Sequence, residues 1–312
     1  MSNSLIIKDK IDNFNKKIFI SGDKSLSIRW VLFASLADGT SKARNLLKSE
    51  DILATIKAIN KLGIKTNFNK NICTVFGKGI DGYKYKKNLT INAENSGTLG
   101  RLILGLLVNA SNKIKIVGDK SLSKRDFKRV SDPLSNFGAK FRLNKNKYLP
   151  LTINGSPMLK PFRYFENRGS AQCKSAVIFA AMRTNGTTFI TAKKSRNHTE
   201  LLCKHLKLPV KVRSKKNYDL IEVKKVKKIR TLNYKIPSDI SSSAFFIVLT
   251  ALSKNSKLVI KNVNINPSRT GIITILKKMG VNIQLKNKKN YKGELLADIS
   301  ITSTKRLKPI NC

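Results

Sequence analysis

Apolar and polar positions follow a pattern that recurs four times along the chain. In each copy a small polar cluster precedes a strongly apolar segment of helical length, and the leading serines are Ser25, Ser96, Ser170 and Ser241. The steps between these serines are 71, 74 and 71 residues. A period this regular indicates internal structural repeats rather than chance similarity of amphipathic segments.

The first copy shows the elements that we expect in every copy. A short strand at 18–23 leads into a helix from about Lys24 to Ala37, which is apolar nearly all round and should pack on several sides. Glu50 begins a second helix, where its charge interacts favourably with the helix dipole. Lys-rich strands and hairpins such as 83–91 separate the copies. The repeat is therefore predicted to be βαβαββ, with mixed sheets covered by helices.

The ends of the second helices also align. Gly63, Gly138 and Gly280 each follow the second helix of a copy, at the position where a glycine commonly ends a helix. Only the third copy, which ends near Leu206-Lys207-Leu208, lacks this glycine. Matched serines and matched glycines together favour true repeats.

The repeats predict two domains in a chain of 312 residues. Residues 20–237 hold three copies and are expected to form one closed domain. Residues 1–19 and 238–312 supply about one repeat of a second, incomplete domain, which cannot bury its faces alone. With 41% apolar residues, each domain has material for a core. No apolar run reaches the ~18 residues of a membrane helix and no signal peptide is evident, so we expect a cytoplasmic protein.

The charge of the chain invites a nucleic-acid interpretation. It carries 62 Lys and Arg against 18 Asp and Glu, a formal charge of +44, and phosphate backbones attract such an excess. The lysines are scattered through every segment, including the loops 84–87, 211–216 and 286–292, rather than gathered on one face with interleaved aromatics. We therefore interpret most of the charge as compositional and expect nucleic-acid binding to be nonspecific at most.

Cysteine and histidine chemistry is not indicated. The four cysteines are far apart and form no CxxC pair: Cys73, Cys173, Cys203 and Cys312. His198 and His205 are the two histidines, and no HExxH motif contains them. Neither a zinc site, nor a disulfide framework, nor a histidine-based triad is therefore predicted.

Helix N-termini are the candidate ligand sites, because their unpaired backbone N–H groups and partial positive charge attract anions. Ser25 and Arg29 lie four residues apart on one helical face, beside Lys24. A hydroxyl, a guanidinium and an ammonium can then meet one phosphate. Spacing alone equally allows Ser25 to be a helix cap and Arg29 a solvated surface charge.

The later copies offer comparable groups. Gly97 at a helix start would let the backbone touch a ligand, although 95–98 also fits a plain capping segment. Arg125 could hold a carboxylate or phosphate through two parallel hydrogen bonds. Gln172 follows the pattern at the third helix, and Arg196 either caps the next helix or reaches an anion. Several such termini converging would form a polyanion site.

Seven stretches resemble the enolpyruvyl transferase family, specifically the 5-enolpyruvylshikimate-3-phosphate synthases (3-phosphoshikimate 1-carboxyvinyltransferases). They occur in family order and span nearly the whole chain, which makes the resemblance specific. The matching stretches are 22–29, 95–98, 119–125, 170–176, 195–200, 239–242 and 266–271.

The resemblance implies an α/β (α+β) fold of two inside-out α/β barrel domains, each built of three βαβαββ units. It implies that 20–237 binds shikimate 3-phosphate, that the first strand joins the C-terminal part, and that Lys24 contacts both substrates and assists proton transfer. The implied shikimate 3-phosphate ligands are Lys24, Ser25, Arg29, Ser170, Ala171, Gln172 and Arg196. The implied phosphoenolpyruvate ligands are Lys24, Gly97, Arg125 and Gln172.

The implied reaction transfers the 1-carboxyvinyl group of phosphoenolpyruvate to the 5-hydroxyl of shikimate 3-phosphate, in the shikimate pathway to chorismate and aromatic amino acids. The hydroxyl adds to C2 of phosphoenolpyruvate as C3 is protonated, and the tetrahedral intermediate then expels phosphate. Because two phosphates and two carboxylates share the site, cations and helix termini matter more than a nucleophile. The resemblance implies no metal or organic cofactor, no membrane partner, and a monomer.

The chain departs from the family pattern at single positions and in length. Ile28, Lys120, Asp126 and Asn197 stand where the family usually has a polar residue, an acid, a proline and an aspartate. The chain ends at Cys312, before the family's acidic catalytic motif, whose groups general acid–base catalysis needs within hydrogen-bond reach. We therefore expect a C-terminally truncated second domain, favour shikimate 3-phosphate binding over turnover, and expect no phosphate release from purified 1–312.

Two other functions stay open. The UDP-N-acetylglucosamine 1-carboxyvinyltransferases share the implied fold, but they have Lys-Asn where this chain has Lys24-Ser25, and a reactive loop cysteine with no evident match here. The alternative from another class is a non-catalytic, basic, nucleic-acid-associated remnant.

Overall fold

The computed structural model describes residues 11–69 and 71–310. Residues 1–10, 311 and 312, which belong to the predicted second domain and include Cys312, lie outside the described residues. The chain forms two compact units. Gly22–Ile236 is called the three-repeat unit below, and Met1–Ser21 with Pro237–Cys312 is called the one-repeat unit.

Strands and helices alternate through both units. The strands are β1 (Asn15–Phe19), β2 (Asp38–Arg44), β3 (Lys65–Asn69), β4 (Ile72–Lys78), β5 (Leu89–Asn92), β6 (Ile114–Val117), β7 (Lys140–Asn144), β8 (Tyr148–Asn154), β9 (Arg163–Glu166), β10 (Thr187–Lys193), β11 (Val210–Ser214), β12 (Tyr218–Lys224), β13 (Tyr234–Lys235), β14 (Lys257–Asn264), β15 (Asn282–Tyr291) and β16 (Glu294–Thr302). The helices are α1 (Lys24–Ser35), α2 (Glu50–Lys61), α3 (Gly97–Leu106), α4 (Lys120–Ser123), α5 (Lys128–Ser135), α6 (Ala171–Ala181), α7 (His198–His205), α8 (Ile240–Leu252) and α9 (Gly271–Lys278), with a 3-10 turn at Pro267–Arg269.

The sheets confirm the predicted repeat. The three-repeat unit has four-stranded sheets of order β13-β2-β4-β3, β5-β6-β8-β7 and β9-β10-β12-β11, and the one-repeat unit has β1-β14-β16-β15. In every sheet the first pair of strands is parallel and the next two pairs are antiparallel. The first repeat is permuted, because its first strand, β13, comes from the end of the unit.

The first helix of each repeat begins at a capping side chain, which accepts a hydrogen bond from an otherwise unpaired backbone N–H. The caps are Asp23 for α1 (from the Leu26 N–H, 2.9 Å), Ser96 for α3 (Leu99, 3.3 Å), Ser170 for α6 (Cys173, 3.3 Å) and Asp239 for α8 (Ser241, 2.8 Å). The possibility that Ser25 caps α1 is therefore wrong, since Asp23 takes that place. Ser25 lies inside the first turn instead.

Helices α1, α3 and α6 form the core of the three-repeat unit. All residues from Leu26 to Ser35 of α1 are buried, which confirms that this helix packs on several sides. The Phe33 ring of α1 lies 4.9 Å from the Phe179 ring of α6. Gly105 allows α3 to approach α6 closely, because a Cβ at this position would lie 2.1 Å from the carbonyl oxygen of Ala176.

The one-repeat unit buries only one face of its first helix. Ile247 and Ala251 of α8 join a cluster of buried side chains from the sheet and from α9. The opposite face of α8 carries Phe245, which is 79% exposed, and Leu252, which is 64% exposed. One face of α8 is therefore left uncovered by the described residues of this unit.

Two element predictions need correction. The first strand lies at Asn15–Phe19 rather than at 18–23, because the chain already turns toward α1 after Phe19. The strand expected over 83–91 is confined to β5, since the preceding residues form an irregular connection. The second helix of the second copy, expected through Phe127, Val130 and Leu134, is α5, and the short helix α4 precedes it.

The helix end without a glycine keeps the same backbone conformation as the others. Lys207 has φ +56°, in the left-handed region that Gly63, Gly138 and Gly280 occupy in their copies. Leu208 donates its backbone N–H to the Cys203 carbonyl at 2.9 Å, closing the helix end with the bond expected after a left-handed residue. Within the residues that the structure describes, no helix is both long and apolar enough to cross a bilayer.

Candidate anion-binding site

Arg29 joins three helices of the three-repeat unit. This buried residue of α1 donates from Nε to the Thr199 hydroxyl of α7 at 2.8 Å and from Nη2 to the Ser175 hydroxyl of α6 at 3.2 Å. Its Nη1 donates to the Ser25 carbonyl oxygen at 3.1 Å. Arg29 is therefore not a solvated surface charge, and it links the half-buried Ser25 to the second turn of α6 and the first turn of α7.

Lys24 lies at the exposed start of α1. Its side chain is about half exposed, and Nζ is 3.3 Å from the Asp51 carboxylate in the first turn of α2. A partly exposed ion pair of this kind holds its partners weakly, at ~1 kcal/mol or less. The ammonium can accordingly turn toward an incoming anion.

Two arginines flank the N-terminus of α3. A Cβ on Gly97 would lie 3.0 Å from Nη1 of Arg101 and 3.2 Å from Nη1 of Arg125, so the glycine leaves room for both guanidinium groups. Arg125 donates to the Asn95 side chain at 2.9 Å and to the Ser121 hydroxyl at 3.3 Å. The structure thus brings Gly97 and Arg125 close together.

Arg101 is the buried member of this arginine pair. It donates to the Gln172 side chain at 2.7 Å and to the Asp126 carbonyl at 3.3 Å, and its guanidinium lies 5.1 Å from the Phe127 ring centre. Burial, and then the charge of nearby Arg129, lower the pKa of the Arg101 guanidinium. An anion bound beside Arg101 would raise this pKa again, because an opposite charge favours the cationic form.

The first turn of α6 connects these groups. Gln172 also donates to the Thr98 hydroxyl of α3 at 3.0 Å, and Arg129 of α5 donates to the Ser170 hydroxyl at 2.6 Å. Ser175 donates to the Ala171 carbonyl at 2.6 Å and meets the Thr199 hydroxyl at 2.7 Å. Helix α6 thus has the Arg101 and Arg129 groups near its start and the Arg29 group one turn further on.

Arg196 precedes α7 in the chain. It is exposed in the connection between β10 and α7, two residues ahead of His198. Nearby, Lys174 of α6 and Glu200 of α7 form a buried ion pair with 2.6 Å between Nζ and Oε1. This pair fixes α7 against α6 and so positions Thr199.

The sequence reading missed Arg101, Arg129, Thr98, Ser175 and Thr199. A usable signal existed for the arginines. Arg101 follows Gly97 by four residues and Arg129 follows Arg125 by four, the same spacing that singled out Arg29 after Ser25. The hydroxyl residues offered no such signal, because they reach the site only through helix packing.

The fold and these groups together define a class: an α/β repeat protein whose helix starts carry clustered guanidinium, hydroxyl and amide donors suited to an oxyanion ligand. A family model described as EPSP synthase (3-phosphoshikimate 1-carboxyvinyltransferase) matches residues 8–311. The chain belongs to the EPSP synthase family.

Individual relatives agree with this assignment. Proteins named 3-phosphoshikimate 1-carboxyvinyltransferase from Petrotoga mobilis and Caldicellulosiruptor bescii are 39% identical over 296 residues and 40% identical over 300 residues. These matches cover 94% and 95% of this chain, and 68% and 69% of the two relatives. The structure of EPSP synthase from Acinetobacter baumannii is similar with a TM-score of 0.86 at 35% identity, over 96% of this chain and 67% of that one.

Proposed function

We propose that this chain provides the shikimate 3-phosphate side of an enzyme that transfers the 1-carboxyvinyl group from phosphoenolpyruvate to the 5-hydroxyl of that substrate, releasing phosphate. One observation carries the proposal most directly: Ser170 and Gln172 at the start of α6 accept hydrogen bonds from Arg129 and Arg101, and Ser175 one turn later accepts one from Arg29. Family membership supplies the identity of the substrates.

In this proposal the donors divide between the two substrates. Ser25, Arg29, Ser170, Ala171, Gln172 and Arg196 hold shikimate 3-phosphate, while Gly97 and Arg125 hold phosphoenolpyruvate, and Lys24 and Gln172 serve both. Fixed cations stabilise the negative charge that accumulates as the tetrahedral intermediate forms and phosphate leaves. Lys24, at the exposed helix start, is the proton-transfer group among them.

The proposed reaction also defines the molecules that the chain binds. The substrates are small molecules, and the monomeric state and cytoplasmic location stay predictions. The UDP-N-acetylglucosamine reaction is not favoured, because the matching family and the named relatives act in the shikimate 3-phosphate reaction by name.

Calorimetric titration with shikimate 3-phosphate tests the proposal. We expect one molecule to bind per chain, and Lys24→Ala or Gln172→Ala to weaken binding about 10- to 100-fold, since a hydrogen bond to a charged group contributes ~1.5–3 kcal/mol. Lys57→Ala, an exposed lysine on α2, and Arg142→Ala, an exposed arginine on β7, are matched controls that should bind as the parent does. Absence of binding, or equal losses in the controls, would contradict the proposal.

A second titration separates the two substrates. Arg125→Ala should weaken phosphoenolpyruvate binding to the shikimate 3-phosphate complex while leaving the first titration nearly unchanged. UDP-N-acetylglucosamine should not bind. Tight binding of this nucleotide sugar in place of shikimate 3-phosphate would reverse the assignment within the family's fold.

A further inference from the structure

The outer face of the sheet β9-β10-β12-β11 collects side chains that are far apart in sequence. Strand pairing aligns two cross-strand rows on this face. The first row is Arg163, Phe189, Glu222 and Lys211, and the second is Phe165, Thr191, Leu220 and Arg213. The alternate residues, such as Ile190 and Ile221, are buried on the inner face. This surface, called the outer β10 face below, therefore has a defined composition.

Aromatic rings and cations interleave on the outer β10 face. Phe165 is 66% exposed and Phe189 is 41% exposed, an unusual position for two neighbouring phenylalanines. The Arg163 guanidinium lies 4.7 Å from the Phe189 ring centre. A cavity of about 230 Å³ opens beside Phe189, lined also by Lys211 and Arg213. The cavity is smaller than the ~300–1,000 Å³ of typical small-molecule sites, so it suits one planar group rather than a whole ligand.

The equivalent sheet of the second repeat provides an internal comparison. On the outer face of β5-β6-β8-β7, Lys115 pairs with Thr90 and Thr152, and Thr152 pairs with Arg142. This row also carries cations, but none of the large exposed apolar side chains of the described residues lies in this sheet. Charge is thus common to both of these sheets, whereas, among the described residues, two exposed phenylalanines lie on the outer β10 face and none lies on the sheet of the second repeat.

We propose that the outer β10 face binds single-stranded nucleic acid without sequence preference, with bases stacked on Phe165 and Phe189 and phosphates paired with Lys211 and Arg213. Surfaces of this type combine a cationic track with aromatic rings, and each stacked base contributes ~1–3 kcal/mol. Glu222 is an acidic residue on the same face, and its charge would repel a phosphate. It lies between Phe189 and Lys211 in the row, and its carboxylate is 3.6 Å from Lys224, which partly neutralises it.

The sequence alone could not reveal this surface. Phe165, Phe189 and Arg213 lie in three different strands, and only the register of the sheet places them on one face. Although the lysines are scattered along the sequence, the fold places cations and aromatic rings together on this face.

Fluorescence anisotropy with a labelled 12-nucleotide oligouridylate tests the proposal. The double variant Phe165→Ala/Phe189→Ala should bind at least ~10-fold more weakly, from the loss of stacking, with an unchanged dependence on salt. Lys211→Ala/Arg213→Ala should reduce the slope of log affinity against log salt by about 1.4, or ~0.7 for each lost phosphate contact. Lys115→Ala/Arg142→Ala on the second repeat is the matched control and should leave oligouridylate binding within about twofold of the parent.

Several outcomes would overturn the proposal. Parent-like affinity in Phe165→Ala/Phe189→Ala, an equal loss in the Lys115→Ala/Arg142→Ala control, or equally strong binding of heparin, which has no bases, would each show simple polyanion adsorption. If the phenylalanine variant fails to fold, Thr191→Glu places a negative charge at the centre of the face and should abolish binding instead. Shikimate 3-phosphate titration of these variants should be unchanged, so this proposal and the proposed function can fail separately.

Discussion

Two apolar helices of similar character have opposite surroundings in the two units. Helix α1 of the three-repeat unit is buried along Leu26 to Ser35, whereas α8 of the one-repeat unit exposes Phe245 and Leu252. Both helices begin at a capping aspartate and precede a strand of the same sheet topology. The two units differ in the number of described repeats, three against one, that surround this helix.

This comparison shows what an apolar helix contributes in a repeat fold. A helix that is apolar all round gains its stability from neighbours on several sides. In the three-repeat unit these neighbours are the equivalent helices of the sister repeats. In the one-repeat unit, the sheet and α9 cover one face only. An exposed patch of this kind favours association or aggregation.

The largest expected effect comes from truncating the buried ring Phe33 of α1, with the exposed ring Phe245 of α8 as the comparison. Phe33→Ala should cost ~3–5 kcal/mol of unfolding free energy, because Phe33 is fully buried against Phe179. Phe245→Ala should change it by less than ~0.5 kcal/mol, because its ring is exposed, and should reduce aggregation. Urea unfolding followed by Trp30, the single, buried tryptophan, measures the first effect. Similar costs for both variants would break the comparison.

The buried ion pair of the three-repeat unit gives the next effect. Glu200→Gln should destabilise this unit by ~3–5 kcal/mol, since it leaves the Lys174 ammonium buried without its counter-charge. Lys174→Met/Glu200→Leu should recover most of the loss, because both charges are removed together. Trp30 fluorescence in urea again provides the measurement. A double variant no more stable than Glu200→Gln would contradict the expectation.

Each unit contains a carboxylate whose pKa is lowered, Asp298 in one and Asp219 in the other. Substituting either residue should therefore change the acid sensitivity of its own unit only. Burial acts to raise the pKa of Asp298, yet hydrogen bonds from Lys261, the Asn262 amide and Asn287 outweigh it, so the pKa is lowered. A lowered pKa means that this stabilisation is present above the unfolded value near 3.9 and is lost as pH falls through the lower folded value. We expect Asp298→Asn to destabilise the one-repeat unit by ~1–3 kcal/mol at neutral pH and to flatten its acid dependence.

Hydrogen exchange measured by mass spectrometry on β16 and on β12 distinguishes the units. Asp219 of β12 is the matched control, since its pKa is also lowered: hydrogen bonds from Lys194 and Ser214 outweigh its burial. Asp219→Asn should affect β12 but not β16, and Asp298→Asn the reverse. Exchange rates that change in both strands for either variant would show that the units do not respond separately.

The smallest effect concerns the helix end without a glycine. Lys207→Gly should stabilise the three-repeat unit by ~0.5–1 kcal/mol. A non-glycine residue at φ +56° costs ~1–2 kcal/mol, which glycine avoids. The greater flexibility of glycine in the unfolded chain offsets part of this gain. Gly63→Ala is the reverse change. Its Cβ would also lie 2.4 Å from the Lys84 carbonyl oxygen, so it should destabilise more strongly. Thermal unfolding orders the three proteins, and a destabilised Lys207→Gly would refute the prediction.

Much of the fold could be predicted from periodicity. The starts of α1 at Lys24 and of α2 at Glu50 lie where the sequence placed them. The cap of α1 was misread, because Ser25 and Asp23 are both good capping residues and only the backbone decides between them. The left-handed backbone of Lys207 also depends on local conformation that composition does not specify.

The candidate site could be predicted only in part. Residues at helix starts were identifiable because the chemistry of a helix N-terminus is local. The contact of Arg29 with Thr199 joins residues 170 positions apart, and that of Gln172 with Arg101 joins residues 71 apart. Such contacts follow from how the repeats pack, which a single sequence does not reveal.

The pairing of β1 has a consequence for synthesis on the ribosome. Its neighbour in the sheet, β14, begins at Lys257, and the nearby bond from the Phe14 amide to the Ser256 hydroxyl spans 242 positions. Chains emerge N-terminus first and fold domain by domain as they appear. The opening strand must therefore wait, unpaired, while the whole of Gly22–Ile236 is translated and folds. Its charged residues Lys16 and Lys17 would discourage premature edge-to-edge pairing during that delay.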